Sequence, residues 1–218
     1  MADGDETADS GTGLGKGRME AFSDGVLAIA ITLLVLNLAL RPPGSPTHEF
    51  LNAWPTYVAY LVSFLTIGGA WVAHNSLTDR LERVDPIFLR LNLLFLLAVA
   101  FLPFPTRLVA EALERNTDWQ RMAVTVYGLT ILVVRLTFAL LVSYTHREHL
   151  RQVRADDPDL REARKKTGIV LVGYGVAIVV GLVAPPVAIA FYFALAVFLV
   201  VPFRAVAREI FGRSSTSR

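Results

Sequence analysis

Six stretches of nearly unbroken apolar residues, each close to the roughly 20 residues that a helix needs to cross a bilayer core, divide this sequence between charged or proline-rich breaks. They fall at about residues 21–40, 54–73, 87–110, 122–144, 167–184 and 187–203. Lipid offers no partner for a backbone N–H or C=O, so a spanning segment must be a helix or a strand of a closed barrel. A barrel strand would alternate with period two over about ten residues, whereas these runs are continuously apolar and longer. The fold expected is therefore all-α: a polytopic membrane protein with six transmembrane helices. Composition agrees, with 54% of residues hydrophobic, 18% charged and a mean hydropathy of +0.49, against about 25% charged in a soluble domain. About 100 residues remain for loops and tails once six spans are set aside, too few for a large soluble catalytic domain.

Residues 1–17 carry Asp3, Asp5, Glu6 and Asp9 among small polar residues and read as a disordered acidic tail. They lack the basic start and early apolar stretch of a secretory signal. The remaining organisation expected is a six-helix membrane unit over 18–206 and a basic cytoplasmic tail over 207–218. Cytoplasmic loops retain lysine and arginine. Sixteen such residues fall on the side that holds both termini and four on the other, so both termini are expected in the cytoplasm of a cell with the chain in its inner or plasma membrane. The largest loop on that side, between the fourth and fifth spans, is basic with Asp156, Asp157 and Asp159 at its centre, as suits a solvated turn. Basic residues scattered between apolar runs answer to topology rather than to nucleic acid, which needs a contiguous basic surface.

Chemistry-bearing patterns are sparse. There is no cysteine, so thiol catalysis and cysteine-ligated metals are excluded. His48, His74, His146 and His149 are the four histidines, and the last two, at i and i+3, lack nearby carboxylates in a metal-ligand pattern. No phosphate-binding loop, HExxH, GxSxG or dinucleotide glycine pattern occurs, so neither an enzyme nor a cofactor or resident metal is expected. Val172-Gly173-Tyr174-Gly175 echoes a carbonyl-lined potassium filter, but it lies within an apolar helical run where Gly168, Gly173, Gly175 and Gly181 better serve close helix packing. Arg135 stands inside the fourth span, where an ionisable residue is a functional candidate; it either snorkels toward water or pairs with Glu20 or Asp24.

The most informative stretch is Arg18-Met19-Glu20-Ala21-Phe22-Ser23-Asp24, which sets an aspartate at the entrance of a long apolar helix. Arg-x-x-x-Phe-Ser-Asp at this place resembles the signature of the transmembrane protein 175 family. Trp71-Val72-Ala73-His74 is similar to the Trp-x-x-His that closes that family's second helix, and Asn92 with Phe101-Leu102-Pro103-Phe104-Pro105-Thr106 resembles its third-helix pattern. Three motifs in order cover residues 18–106.

The resemblance implies a passive potassium channel with a single six-helix repeat, so four chains would form a homotetramer in the bilayer around a pore on the symmetry axis. It implies a constriction at Ile29 with further pore positions at Leu33 and Leu36, selectivity at Thr32, and a structural network of Arg18, Phe22, Ser23, Asp24, Trp71, His74 and Asn92. Potassium is then the only bound species expected, as permeant. At about 100° per residue Ile29, Leu33 and Leu36 fall within roughly 60° of arc, so one face can present them together. On the residues alone ordinary helix packing is the better account of this stripe, and the motif match is what turns it toward a pore. Asp24 projects about 140° from that face, and its carboxyl is expected to be held by Ser23, His74 or Asn92, since a buried charge needs partners. Arg18 projects near the pore face, although the family pattern suggests packing against neighbouring helices. The alternative function is a proton channel or proton-coupled transporter, which as a carrier would need an ionisable residue on a stripe that has none.

Overall fold

A computed structural model describes residues 15–38, 53–112, 117–147 and 158–200. Most of the acidic tail, the centre of the linker with Asp156 and Asp157, His48, His149 and the basic tail lie outside the described residues. All regular elements described are helical. They are α1 (Lys16–Leu33) with a 3-10 extension (Leu34–Leu38), α2 (Trp54–Thr78), α3 (Pro86–Phe101), α4 (Pro103–Ala112), α5 (Thr117–Arg147), α6 (Pro158–Val183) and α7 (Pro185–Val200).

Among the described residues, four segments are long and apolar enough to cross a membrane: Lys16–Leu38, Thr56–Thr78, Pro86–Ala112 and Thr117–Thr145. Two shorter apolar helices follow, Gly168–Val183 and Pro185–Phe198. Over their described residues the six expected segments are thus helical. Two depart from a straight rod. The third breaks at Pro103, which has no N–H to give the Val99 carbonyl; that carbonyl accepts instead from the Leu102 N–H at 3.0 Å. The first tightens into a 3-10 turn at Leu34, and Asn37 Nδ2 donates to the carbonyl of Pro103 at 3.2 Å, tying this turn to the break.

Asp85 caps α3, accepting from the Phe88 N–H at 2.7 Å with Pro86 at the first helical position. Its other oxygen accepts from the Tyr144 hydroxyl at 2.5 Å, fastening α3 to the far end of α5. Lys16 Nζ donates to the Leu81 carbonyl at 3.0 Å, so the start of α1 closes the end of α2. Only Ala184 separates α6 from α7, where Pro185 cannot continue the helix.

The helices pack in a ring, α1 on α3, α3 on α5, α5 on α6, α6 on α7, α7 on α2 and α2 back on α1, with short α4 wedged between α2 and α5. The middle is filled: Leu34, Phe95, Leu102, Ile131, Tyr174 and Ala196 are wholly buried. Glycines set the closeness on the α5–α6–α7 side. A Cβ at Gly128 would stand 2.1 Å from the Tyr192 hydroxyl, and one at Gly181 would meet Val124 Cγ1 at 3.0 Å. Of the four glycines expected to permit packing, Gly173 and Gly181 do so, whereas Gly168 and Gly175 face open space. Gly173 to Gly175 are ordinary helical residues within α6.

Candidate pore helix and its anchoring network

Helix α1 has two apolar faces, as a helix does when it meets neighbours or lipid all round. Met19, Ser23, Leu27, Ala30 and Leu34 are buried at i, i+4, i+8, i+11 and i+15, forming the face turned into the ring. On the outer side Ile29, Leu33 and Leu36 are 60%, 43% and 70% exposed. Leu36 lies in the 3-10 turn, where side chains three apart eclipse, so it returns above Leu33 and the stripe survives the change of helix type. Thr32 is exposed beside the stripe, its Oγ1 donating to the Ile29 carbonyl at 2.9 Å. The outer face also carries Phe22 at 55% exposure, and Arg18 stands exposed in the first turn of the helix.

The inner face is fixed by a chain of buried polar groups. Ser23 Oγ donates to the Met19 carbonyl at 2.8 Å and accepts from Asn92 Nδ2 at 2.9 Å. Asn92 Oδ1 lies 2.8 Å from His74 Nε2, which completes the link from α1 through α3 to α2. The His74 ring stacks on Phe95, with ring centres 5.6 Å apart and planes 4° from parallel. Ser23, His74 and Asn92 are each at most 2% exposed, so the three satisfy one another where no water reaches.

Asp24 stands outside this chain. Expected against Ser23, His74 or Asn92, it is instead exposed and accepts from Trp71 Nε1 at 2.9 Å. Helical geometry gives the reason. Neighbouring residues diverge by about 100°, so when Ser23 faces inward Asp24 must face the rim. Trp71, three residues before His74 on the same side of α2, meets it there. The motif residues therefore form two contacts between α1 and α2, one dry and one at the edge.

Arg135 pairs with neither Glu20 nor Asp24. Glu20 lies 3.7 Å from Lys16, Asp24 accepts from Trp71, and both sit on the first half of α1, which packs on α2 and α3, whereas Arg135 is turned toward Tyr174 on α6.

Sequence reasoning missed a second buried polar cluster on the far side of α4. Ser63 Oγ lies 2.7 Å from Thr106 Oγ1 and 2.9 Å from the Tyr127 hydroxyl, joining α2, α4 and α5. A lone serine, threonine and tyrosine in apolar runs was the available signal, but their meeting depends on long-range packing.

Residues 18–103 match the family described as Endosomal/lysosomal potassium channel TMEM175. A potassium channel of Streptomyces collinus is 40% identical over 186 residues, which span 84% of this chain and 90% of that protein. The chain belongs to the TMEM175 family. In three dimensions it resembles the crystal structure of a lysosomal potassium-selective channel TMEM175 homolog from Chamaesiphon minutus, with a TM-score of 0.74 and 32% identity over 84% of this chain and 95% of that one. An Endosomal/lysosomal proton channel TMEM175 of Gallus gallus is 38% identical over 114 residues, 47% of this chain and 23% of that protein. Membership in this family, with six apolar helices, makes the chain a multi-pass membrane protein of an ion-channel family rather than an enzyme.

Proposed function

We propose that four copies of this chain surround a potassium-selective pore, with α1 and its 3-10 turn from each copy lining the axis. The observation that carries the reading is the exposed apolar stripe of Ile29, Leu33 and Leu36 on a helix whose opposite face is locked into the ring. Ions cannot pass through the middle of one subunit, which is filled with buried side chains. A conducting path must then form between subunits, and closed symmetry brings four equal stripes together. Rings of isoleucine and leucine would gate by dewetting, and Thr32, one position from the stripe, would replace part of the hydration shell of potassium. Potassium is the permeant in this reading and no cofactor takes part. Both termini lie in the cytoplasm and the protein sits in the inner or plasma membrane. Ser23, Asn92 and His74, with Asp24 and Trp71 at the rim, hold α1 in register, while Arg18 and Phe22 are left to face neighbouring subunits.

Proton conduction is the second reading, favoured by the name that the animal relatives carry. A carrier mechanism would want a titratable group on the path, and the stripe offers only hydrocarbon and one hydroxyl.

Liposomes containing the purified protein, with potassium, sodium and proton fluxes measured separately, test both. Potassium flux well above sodium flux is expected. Native mass spectrometry in mild detergent should give a tetramer, and Ile29→Cys should crosslink between subunits. A monomer that still moves ions would overturn the shared pore.

A further inference from the structure

We propose that the groove between α3 and α5 holds an acyl chain of an anionic phospholipid, whose phosphate Arg90 binds at the end expected in the cytoplasm. The groove has a volume of about 470 Å³ and is lined by Leu94, Leu97 and Phe101 of α3 and by Leu129 and Val133 of α5. That volume falls within the range of about 300–1,000 Å³ found for cavities that hold small ligands. The one side-chain hydroxyl in its lining, Thr130 Oγ1, already donates to the Val126 carbonyl at 2.8 Å, so an occupant meets little but hydrocarbon. Arg90, Leu94, Leu97 and Phe101 follow at i, i+4, i+7 and i+11, within about 60° of arc on a helix, which sets the arginine on the same face as the groove. Cβ bonds tilt toward the helix N-terminus, so its long side chain runs away from the groove toward the start of the span at Pro86. From Arg90 to Phe101 the helix rises about 16 Å, close to half of a hydrocarbon core of about 30 Å and so to the depth of one leaflet.

The charge at the groove's end is what selects the occupant. Arg90 is exposed and, among the described residues, has no carboxylate within ion-pair distance. No aspartate or glutamate occurs between residues 86 and 110 or between 119 and 147, and the two oxygens of Asp85 are taken by the Phe88 N–H and the Tyr144 hydroxyl. Arg107 and Arg121, toward the other end of the spans, are by contrast paired with Glu111 and Asp118. Basic groups beside clefts between spans on the cytoplasmic side recognise anionic headgroups. A phosphate here would accept from the guanidinium fork side-on while the chain below it fills the groove. A zwitterionic lipid brings its own cation beside the phosphate and cancels part of that attraction, and a free phosphate would leave the groove empty. The site lies one helix removed from α1 in the ring, and it rests on the pore reading only for which end is cytoplasmic.

The test titrates the purified full-length protein, stripped of lipid in mild detergent, with dioleoyl phosphatidylglycerol, with dioleoyl phosphatidylcholine, and with glycerol phosphate, which has a headgroup's charge and no chain. Binding is read from native mass spectra and from the shift in unfolding temperature. Phosphatidylglycerol should bind about fivefold more tightly than phosphatidylcholine, the worth of one arginine against an anionic headgroup, and glycerol phosphate should leave the unfolding temperature unchanged. Arg90→Gln, at an exposed position where folding is spared, should remove that preference and leave weak binding of both lipids. Ala98→Phe, which builds a ring into the groove from α3, should weaken both lipids about tenfold or more, as the displacement of two or more methylenes predicts. Equal affinity of the wild type for the two lipids, or a preference that survives Arg90→Gln, would overturn the site. So would glycerol phosphate that stabilises as well as the lipid does, which would mark a free-anion site. Ala98→Phe with lipid binding intact would overturn the groove as its seat, and if that variant also split an oligomer, a neighbouring subunit is what fills the groove. None of these readouts depends on ion flux, so the outcome stands apart from that of the pore.

Discussion

Replacing Asn92 with leucine, of similar volume, tests whether the buried polar chain is what locks α1 to α2 and α3. The side chain donates to Ser23 Oγ at 2.9 Å and lies 2.8 Å from His74 Nε2. After the change Ser23 keeps its bond to the Met19 carbonyl, so its hydroxyl proton stays satisfied and only the hydrogen bond that its oxygen accepted is lost. His74 Nε2 loses its partner altogether. A buried polar group left unpaired costs about 1–3 kcal/mol, whereas couplings between membrane helices average about 0.6 and reach about 1.7 kcal/mol. The full enclosure of His74 against Phe95 places this case toward the upper end, and Asn92→Leu should destabilise by about 2 kcal/mol. His74→Phe alone strands the Asn92 carbonyl oxygen and should cost a similar amount. The double variant removes both polar ends together and should cost less than the sum, with a coupling of about 1–2 kcal/mol. Denaturant unfolding of the four proteins in one detergent, followed by tryptophan fluorescence and fitted to a reversible transition, gives the cycle. Strictly additive effects, with coupling below about 0.3 kcal/mol, would refute the claim that His74 and Asn92 act as a pair.

Ile29→Asn should wet the apolar ring and raise cation flux into liposomes several-fold; unchanged flux would remove Ile29 from the constriction. Thr32→Ala should lower the preference for potassium over sodium while leaving conduction intact, read as a shift of reversal potential. Gly128→Ala would set a methyl 2.1 Å from the Tyr192 hydroxyl and should destabilise by about 1–3 kcal/mol through overpacking. Adding Tyr192→Phe should recover part of that loss in unfolding measurements, and no recovery would mean that the strain lies elsewhere.

The six helical segments were legible because the bilayer leaves so little freedom: a segment either supplies about 20 apolar residues with its own hydrogen bonds satisfied or it does not cross. Interruptions within segments were harder to see. Leu34–Leu38 carries no proline or glycine to announce a 3-10 turn, and the contact that fixes it, Asn37 on the Pro103 carbonyl, joins residues 66 positions apart. The Phe-Ser-Asp motif pointed to the right region but invited the pairing of Asp24 with the nearest polar groups. Only the helix phase separates Ser23, which faces Asn92, from Asp24, which faces Trp71. Arg135 showed the same limit. Its charge was plain in the sequence, yet its neighbours depend on how α5 is rotated against α6, and apolar runs with little periodicity do not encode that rotation.

The network and the stripe are opposite faces of one helix, and this constrains how a pore lined by α1 could open. Met19, Ser23, Leu27, Ala30 and Leu34 hold the inner face along its length, with Asn92 bonding at one end and Asn37 reaching the broken third span at the other. A rotation of α1 alone that carried Ile29 off the axis would pull Ser23 from Asn92 and leave buried polar groups unpaired. A rigid movement of α1, α2 and α3 together keeps both bonds. Tilting of this three-helix unit spares those groups and strains instead the Asp85–Tyr144 bond between α3 and α5, with the proline-broken junction at Pro103 as the place where the backbone can yield. Widening at Ile29 should then be accompanied by relative movement where α3 passes into α4, rather than by sliding of α1 against α2.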